Sequence, residues 1–450
     1  MHLDLRRFYQ AANPSKTLAI ESEEDRKYYI DFSVARGGKT VEEFERTITR
    51  ISPDEPTCQL FTGHIGCGKT TELLRLKNQL EKQGFHVVYC ESSHSLVMAD
   101  VDVTDILLAI ARKVSESLEQ AKISLKPRGF KALLQGAAKV LQTEIDVTAE
   151  ASMPGVGSIK ANTEGEFSIG FGIGKITAKT KNSPELRSVL RQYLEPRTDT
   201  LLDDINKELL EPAIAELKRM GKQGLVVIVD NLDRIDNSPK LSNRTQPEYL
   251  FIDRGEQLKS LKCHLVYTIP LVIMFSNDLG ALRNRFGINP KVLPMVRVQL
   301  RDGRECEQGM MLLRQMILAR AFPDIEPDQR LALVSKIFDS PETLDRLCQA
   351  SGGHVRNLLV LLFSCLQKED LPLSRKCLED VVRRERDALV RGVTDNEWEL
   401  LNQLSHQQVV KGEEEYETLL RSMFVFEYQD DEGGWFGINP ILAEARQMKV

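Results

Sequence analysis

The sequence predicts an α/β fold: a parallel sheet, then an all-helical region, then a small module of two helices and a two-stranded ribbon. Three observations predict it. The first 120 residues run strand, glycine-rich loop, helix, strand, helix. Two later apolar runs, "GLVVIVDNLDRID" and "CHLVYTIPLVIMF", read as buried strands of the same sheet. From 305 to 393 apolar residues recur at helical spacing and no strand signal interrupts them.

Taken in order, residues 1–50 form a polar N-terminal segment ending in the helix "TVEEFERTITRI". The strand "CQLF" leads into the glycine loop, a helix spans about 69–83, and "HVVYCES" is the next strand, followed by a helix over about 102–118. Residues 122–183 read as an insertion: a short amphipathic helix, "FKALLQGAAKVLQ", then a Gly/Thr/Ser-studded stretch alternating at period two, expected to be a β-hairpin or flap. Helix resumes over 185–220, broken near Pro196 and kinked near Pro212. "PMVRVQL" is expected to be one more strand, closing a core of residues 51–302. Residues 303–393 form a helical lid. The last 57 residues, 394–450, run helix, helix, strand, turn, strand, short helix, the order of a winged helix-turn-helix. Phe424, Phe426, Trp435 and Phe436 are expected to form a small core behind its wing.

Composition narrows the class. Of 450 residues, 42% are hydrophobic and 28% charged, as in soluble globular proteins, and a net charge of −6 argues against a broadly nucleic-acid-coating surface. The first residues lack the apolar core of a signal peptide and no apolar run approaches the ~20 residues of a spanning helix, so a cytoplasmic protein with no membrane role is expected. The eight cysteines form no C-x-x-C pair and the seven histidines show no metal-ligand spacing, which fits reduced thiols.

The chemistry lies in "GHIGCGKT". Gly63, His64, Ile65, Gly66, Cys67, Gly68, Lys69 and Thr70 fit G-x-x-x-x-G-K-[ST] at every fixed position, with Thr71 following. Backbone N–H groups must wrap a chain of phosphates closely, so the glycines remove Cβ atoms and allow positive φ, and the helix that follows aims its N-terminus at the anion. Lys69 is expected to reach the β and γ phosphates and the Thr70 hydroxyl to ligate Mg²⁺. Cys67 is read as a small filler. "LVVIVD" supplies the matching carboxylate: Asp230 ends an apolar strand at the edge where open parallel sheets bind ligands, and is expected to hold the metal.

These two motifs resemble the Walker A and Walker B segments of P-loop NTPases of the AAA+ and STAND classes, which the order of core, helical lid and winged helix also matches. The resemblance covers most of the chain but not 122–183, and the 161 residues between Lys69 and Asp230 are long for it. It implies ATP as ligand, Mg²⁺ as cofactor and an ATPase reaction. Many AAA+ members carry Glu after the metal-binding Asp; Asn231 stands here, and Asp233 fits the spacing of the second acid in NACHT-type members, with water activation as its implied role. Thr268 lies at the end of a strand resembling sensor 1. "LRNRFG" resembles the segment carrying an arginine finger, with Arg285 first and Arg283 second. "SGGHVRNLLVLL" resembles the sensor-2 helix, with Arg356 reaching the phosphates, and "YYIDFSVARGGKT" the segment framing adenine, with Arg36 as its candidate.

The winged helix of this layout either reads DNA or holds a switch closed. Residues 394–450 carry 12 acidic and 4 basic side chains, and the expected recognition helix contains Glu413, Glu414, Glu415 and Glu417. Such a face is repelled by a duplex, so a protein-contacting or autoinhibitory role is favoured and DNA disfavoured at this module. Three readings follow: an ATP-dependent regulatory switch that couples nucleotide state to a protein partner or to homo-oligomer assembly, possible in a bacterial defence system; an origin-recognition-like DNA-binding ATPase; and a catalytically weak ATP-stabilised scaffold, as Asn231 suggests.

Overall fold

The computed structural model describes residues 3–125, 127–143, 168–240, 244–410 and 414–448. Its centre is a five-stranded sheet: β1 Cys58–Thr62, β2 His86–Glu91, β3 Leu225–Asp230, β4 His264–Thr268 and β5 Lys291–Val292. The strand order is β2-β3-β4-β1-β5 and every pair is parallel. Burial on both faces explains the continuous apolar runs of β1, β3 and β4, in which every residue is buried. One face packs on Lys69–Lys82, the helix that follows the glycine loop; the other packs on Val103–Gln120 and the helices of 184–219.

The insertion differs from the hairpin expected for it. Gly129–Val140 is helical as read, but Ile169–Lys181 is a second helix; residues 144–167, where most of the expected hairpin falls, lie outside the described residues. The alternating run Ile169, Phe171, Ile173 hides a helical set: Ile169, Ile173 and Ile176, at i, i+4 and i+7, are all buried. Ser168 caps this helix, accepting from the Phe171 N–H at 3.2 Å. Gly170 and Gly174 lie against Val103–Gln120: a Cβ on Gly170 would stand 3.1 Å from Glu116 Cγ, and one on Gly174 3.4 Å from Arg112 Cζ. The glycines that suggested a flap are the surface that lets two helices meet.

Helices over 184–219 show the expected interruptions, a 3-10 turn at Glu195–Arg197 and a π turn at Ile205–Leu210 just before Pro212. "PMVRVQL" joins no ladder among the described residues. Instead its successive N–H groups go to three different elements: Met295 donates to Glu427 O (2.9 Å), Val296 to Gly353 O (3.3 Å) and Arg297 to Ala35 O (3.2 Å). This stretch staples the C-terminal ribbon, the lid and the N-terminal segment together.

The helices Glu307–Ala321, Pro341–Ala350, Val355–Leu366 and Arg375–Val390, in the region expected to be a lid, form a second core, joined by Phe8, Ala12, Phe32 and Ala35 of the N-terminal segment. Among the described residues no helix is long and apolar enough to cross a membrane.

The C-terminal module runs Asp395–Gln407, Glu414–Arg421, β6 Val425–Asp430, β7 Gly433–Ile438 and Pro440–Ala443, with β6 and β7 antiparallel. Its ribbon has two loyalties, unlike the single small core expected. Phe424, Val425, Phe436 and Ile438 pack on the module's own helices. Phe426, Tyr428 and Trp435, each at most 1% exposed, pack into the sheet core with Phe61, Leu73 and Met295. Tyr428 and Trp435 stand directly opposite in the ladder and stack with centroids 4.6 Å apart.

Candidate nucleotide site

The site is built where β1 and β3 end. The loop leaves β1 with Gly63, Gly66 and Gly68 all at positive φ (145°, 88° and 108°), as the motif requires. Two of these also face close neighbours: a Cβ on Gly63 would meet Leu293 O at 2.6 Å, and one on Gly66 would meet His354 Cε1 at 2.8 Å. Lys69, Thr70 and Thr71 open the helix Lys69–Lys82, whose first turn faces the loop.

Lys69 Nζ donates to Gly63 O (2.7 Å) and His64 O (2.9 Å) and pairs with Asp233 Oδ2 at 2.9 Å, both side chains nearly fully buried. Burial alone would lower the ammonium; the Asp233 carboxylate outweighs it and the net direction is upward. Asp233 Oδ1 is buried with no hydrogen-bond partner among the described residues. Thr70 Oγ1 donates to Asp230 Oδ2 at 2.7 Å, and Tyr89 OH donates to the same oxygen at 2.5 Å. Burial pushes the Asp230 carboxyl above the usual carboxylate range, against the opposing pull of those hydroxyls. A buried acid in this condition is stabilised by an added cation. Thr70 and Asp230 offer hard oxygen donors, which suit Mg²⁺ completed by phosphate oxygens and water.

Thr268 ends β4 beside β3. Its hydroxyl accepts from the Leu232 N–H (3.0 Å) and donates to Val229 O (3.4 Å), so it fixes the chain on both sides of Asp230. Asn231 takes a left-handed turn, φ 67°, and its side-chain amide donates to Glu91 Oε1 at 3.3 Å.

Arg36 is 4% exposed and grips the loop from outside: Nη2 donates to Cys67 O at 2.6 Å while the guanidinium lies over the Phe32 ring. Beside it opens a shallow pocket lined by Phe32, Gly38, Thr40, Val41, Glu72 and Leu293. Three polar atoms at this pocket, Ser33 Oγ, Arg36 Nε and Glu42 Oε2, are buried without hydrogen-bond partners among the described residues. Cys67 is fully buried, packed in the sheet core.

The lid reaches the loop through Val355–Leu366. His354, its N-cap residue, donates from Nε2 to Ile65 O (2.8 Å) and accepts at Nδ1 from the Asn357 N–H (2.9 Å), which fixes its tautomer. A Cβ on Gly66 would lie 3.2 Å from Arg356 Cβ, so Arg356 starts beside the loop. Partial burial, then the charge of Arg234, lower its guanidinium below the ordinary value. Neither arginine forms an ion pair among the described residues. Arg285, on the helix Leu279–Phe286, donates to Asp253 O (3.1 Å), and Arg283 on the same helix is exposed; the structure brings neither to this chain's own loop.

His64 ties the loop to the C-terminal ribbon: its Nε2 accepts from the Glu427 N–H at 3.0 Å. Phe426 lies between the two histidines, edge-on to His64 and stacked on His354, each centroid 5.9 Å away. Burial pushes His64 down to about 3 and His354 down to about 4, so both rings are neutral. Sequence reasoning missed Tyr89, Glu91, His354 and Phe426 as members of this neighbourhood. Tyr89 and Glu91 could have been found by laying "HVVYCE" parallel to "LVVIVD"; no local pattern announces a ribbon 360 residues away.

Residues 39–242 match the KAP family P-loop domain. A search of curated proteins gives no match. Among solved structures, the Walker-type ATPase of Pyrococcus abyssi is similar at 12% identity over 96% of this chain and 98% of that one, with a TM-score of 0.40. The Aeropyrum pernix ORC1 protein in complex with DNA follows at 11% identity, 97% and 96% coverage and a TM-score of 0.37. Cdc6p from Pyrobaculum aerophilum is similar at 11% identity, 96% and 94% coverage and a TM-score of 0.34. With its glycine loop and the strand order around it, the chain has a P-loop NTPase fold, and residues 39–242 are similar to the KAP family P-loop domain.

Proposed function

We propose that the chain is an ATP-binding, ATP-hydrolysing regulatory switch that couples nucleotide state to the position of its lid and C-terminal module. One observation carries this reading. The loop that would hold the phosphates is gripped at once by the lid, through His354 and Ile65, and by the ribbon, through His64 and Glu427.

In this reading the loop N–H groups and Lys69 bind the phosphates, exchanging the Lys69 contacts to Gly63 O and His64 O for phosphate oxygens. Thr70 and Asp230 would hold Mg²⁺, which supplies charge neutralisation at the β and γ phosphates. Asp233 keeps Lys69 charged and oriented, and its Oδ1, buried with no partner among the described residues, is a candidate for ordering water. Arg356 and Arg234, two neighbouring cations without ion pairs among the described residues, suit the outer face of a triphosphate. The pocket at Phe32 and Arg36 suits the base, and its orphaned Ser33, Arg36 and Glu42 atoms supply the donors and acceptors a base edge needs.

An arginine away from its own loop, Arg285, suits action on a second copy of the chain, and the acidic C-terminal module suits a protein partner better than DNA. The reading is tested by mass photometry and calorimetry with no nucleotide, ADP and ATP. Nucleotide-dependent heat together with a change in assembly or in ribbon protection supports it; binding that alters neither removes the switch.

A further inference from the structure

We propose that Glu91 is the catalytic base of the hydrolysis, taking the role that Asn231 cannot fill. The inference rests on the ATP reading of this site. Hydrolysis needs a group that accepts a proton from water beyond the metal-holding Asp230, and an amide such as that of Asn231 has no such capacity.

Glu91 ends β2 as Asp230 ends β3, and the parallel ladder pairs these two residues directly. Side chains two apart on a strand share a face. Tyr89, two residues before Glu91, already touches Asp230 Oδ2 with its hydroxyl at 2.5 Å. Glu91 therefore stands on the face that meets the metal-site carboxylate, one step nearer the open edge. Its Oε1 accepts from Asn231 Nδ2 at 3.3 Å and from the Ser93 hydroxyl at 3.3 Å, two neutral donors that orient a carboxylate without consuming its charge. Among the described residues it pairs with no lysine or arginine; His94, itself exposed, lies 3.6 Å from Oε2. The side chain is 41% exposed, so water reaches it. Asp233 is placed differently: one of its oxygens is bound to the Lys69 ammonium.

In the step, the water oxygen forms a bond to the γ phosphorus, the bond from that phosphorus to the β–γ bridging oxygen breaks, and ADP leaves with the electron pair. The water proton passes to the Glu91 carboxylate and from there to solvent.

The test is single-turnover ATP hydrolysis and ATP affinity for wild type, Glu91→Gln and Asp233→Asn, across pH, with melting curves to verify folding. Glu91→Gln keeps shape and hydrogen-bonding capacity. The expected result is hydrolysis slowed by about 100-fold or more with ATP affinity within about twofold of wild type. Wild-type hydrolysis in Glu91→Gln, or loss confined to Asp233→Asn, overturns the assignment. Wild type that binds ATP without hydrolysing it overturns Glu91 while leaving the nucleotide site standing; wild type that binds no ATP removes both.

Discussion

The backbone N–H of Glu427 donates to His64 Nε2 at 3.0 Å, tying the C-terminal ribbon to a glycine-loop residue 363 positions away in sequence. The contact needs a neutral imidazole, and burial keeps His64 neutral throughout the physiological range. In the proposed switch a change of loop shape alters its hold on the ribbon, and by reciprocity release of the ribbon alters nucleotide affinity.

His64→Ala removes this acceptor, while His64→Gln retains one. The expected outcome is faster exchange of the Glu427 amide in His64→Ala, together with an ATP affinity changed by about fivefold, the size of one neutral hydrogen bond. His64→Gln should return both toward wild type. Hydrogen exchange and calorimetry on the three proteins check it.

Phe426 is fully buried between His64 and His354. Phe426→Ala leaves a cavity at the joint of loop, lid and ribbon, with an expected loss of about 3–5 kcal/mol. Denaturant melts measure the loss. Limited proteolysis should show new cleavage within residues 425–438, because Tyr428 and Trp435 share the same packing face.

Glu427 makes the stability of this arrangement pH-dependent. Burial pushes its carboxyl up from 4.5 to about 7, and its Oε2 is buried without a partner among the described residues. The folded state thus holds a proton that the unfolded state releases between pH 4.5 and 7, so stability falls as pH rises through that window and is level above it. Glu427→Gln carries no such titration. It should melt higher than wild type at pH 8, with the gap closing as pH falls to 4.5, as scanning fluorimetry across this range will show.

The Lys69–Asp233 pair bears on how the phosphate loop is probed. Both side chains are almost fully buried, so Lys69→Ala strands the Asp233 carboxylate. The expected cost is about 3–5 kcal/mol in the nucleotide-free protein, apart from any effect on binding. The double variant Lys69→Met/Asp233→Asn should recover most of it, measured by chemical denaturation, and is the cleaner background for binding experiments.

Much of the nucleotide domain was legible because its signals are local. The spacing of Gly63, Gly68, Lys69 and Thr70 fixes a backbone shape, and an apolar run ending in Asp230 fixes where a carboxylate emerges. What was not legible depends on partners distant in sequence. Ile169–Lys181 read as a strand because Ile169, Phe171 and Ile173 satisfy period two as well as the helical set, and only the neighbouring helix Val103–Gln120, against which Gly170 and Gly174 fit, decides between them. "PMVRVQL" has the composition of a strand but gives its N–H groups to Glu427, Gly353 and Ala35 in turn, so no ladder forms. Phe426 and Trp435 looked like a private core of the ribbon because alternation shows which residues share a face and not what that face meets. Glu91 was invisible as a site residue until the pairing of β2 with β3 set it beside Asp230.

The central claim is that Lys69, Thr70 and Asp230 together clasp a triphosphate and its Mg²⁺. Thr70 and Asp230 already share a 2.7 Å hydrogen bond, with Lys69 bound to the same loop. Isothermal calorimetry of ATP into the wild-type protein and Asp230→Asn, each with and without Mg²⁺, tests it most directly. The account predicts saturable heat from wild type that strengthens with Mg²⁺, and loss of that Mg²⁺ dependence in Asp230→Asn. No heat from wild type at millimolar Mg-ATP, or an unchanged Mg²⁺ dependence in Asp230→Asn, would contradict it.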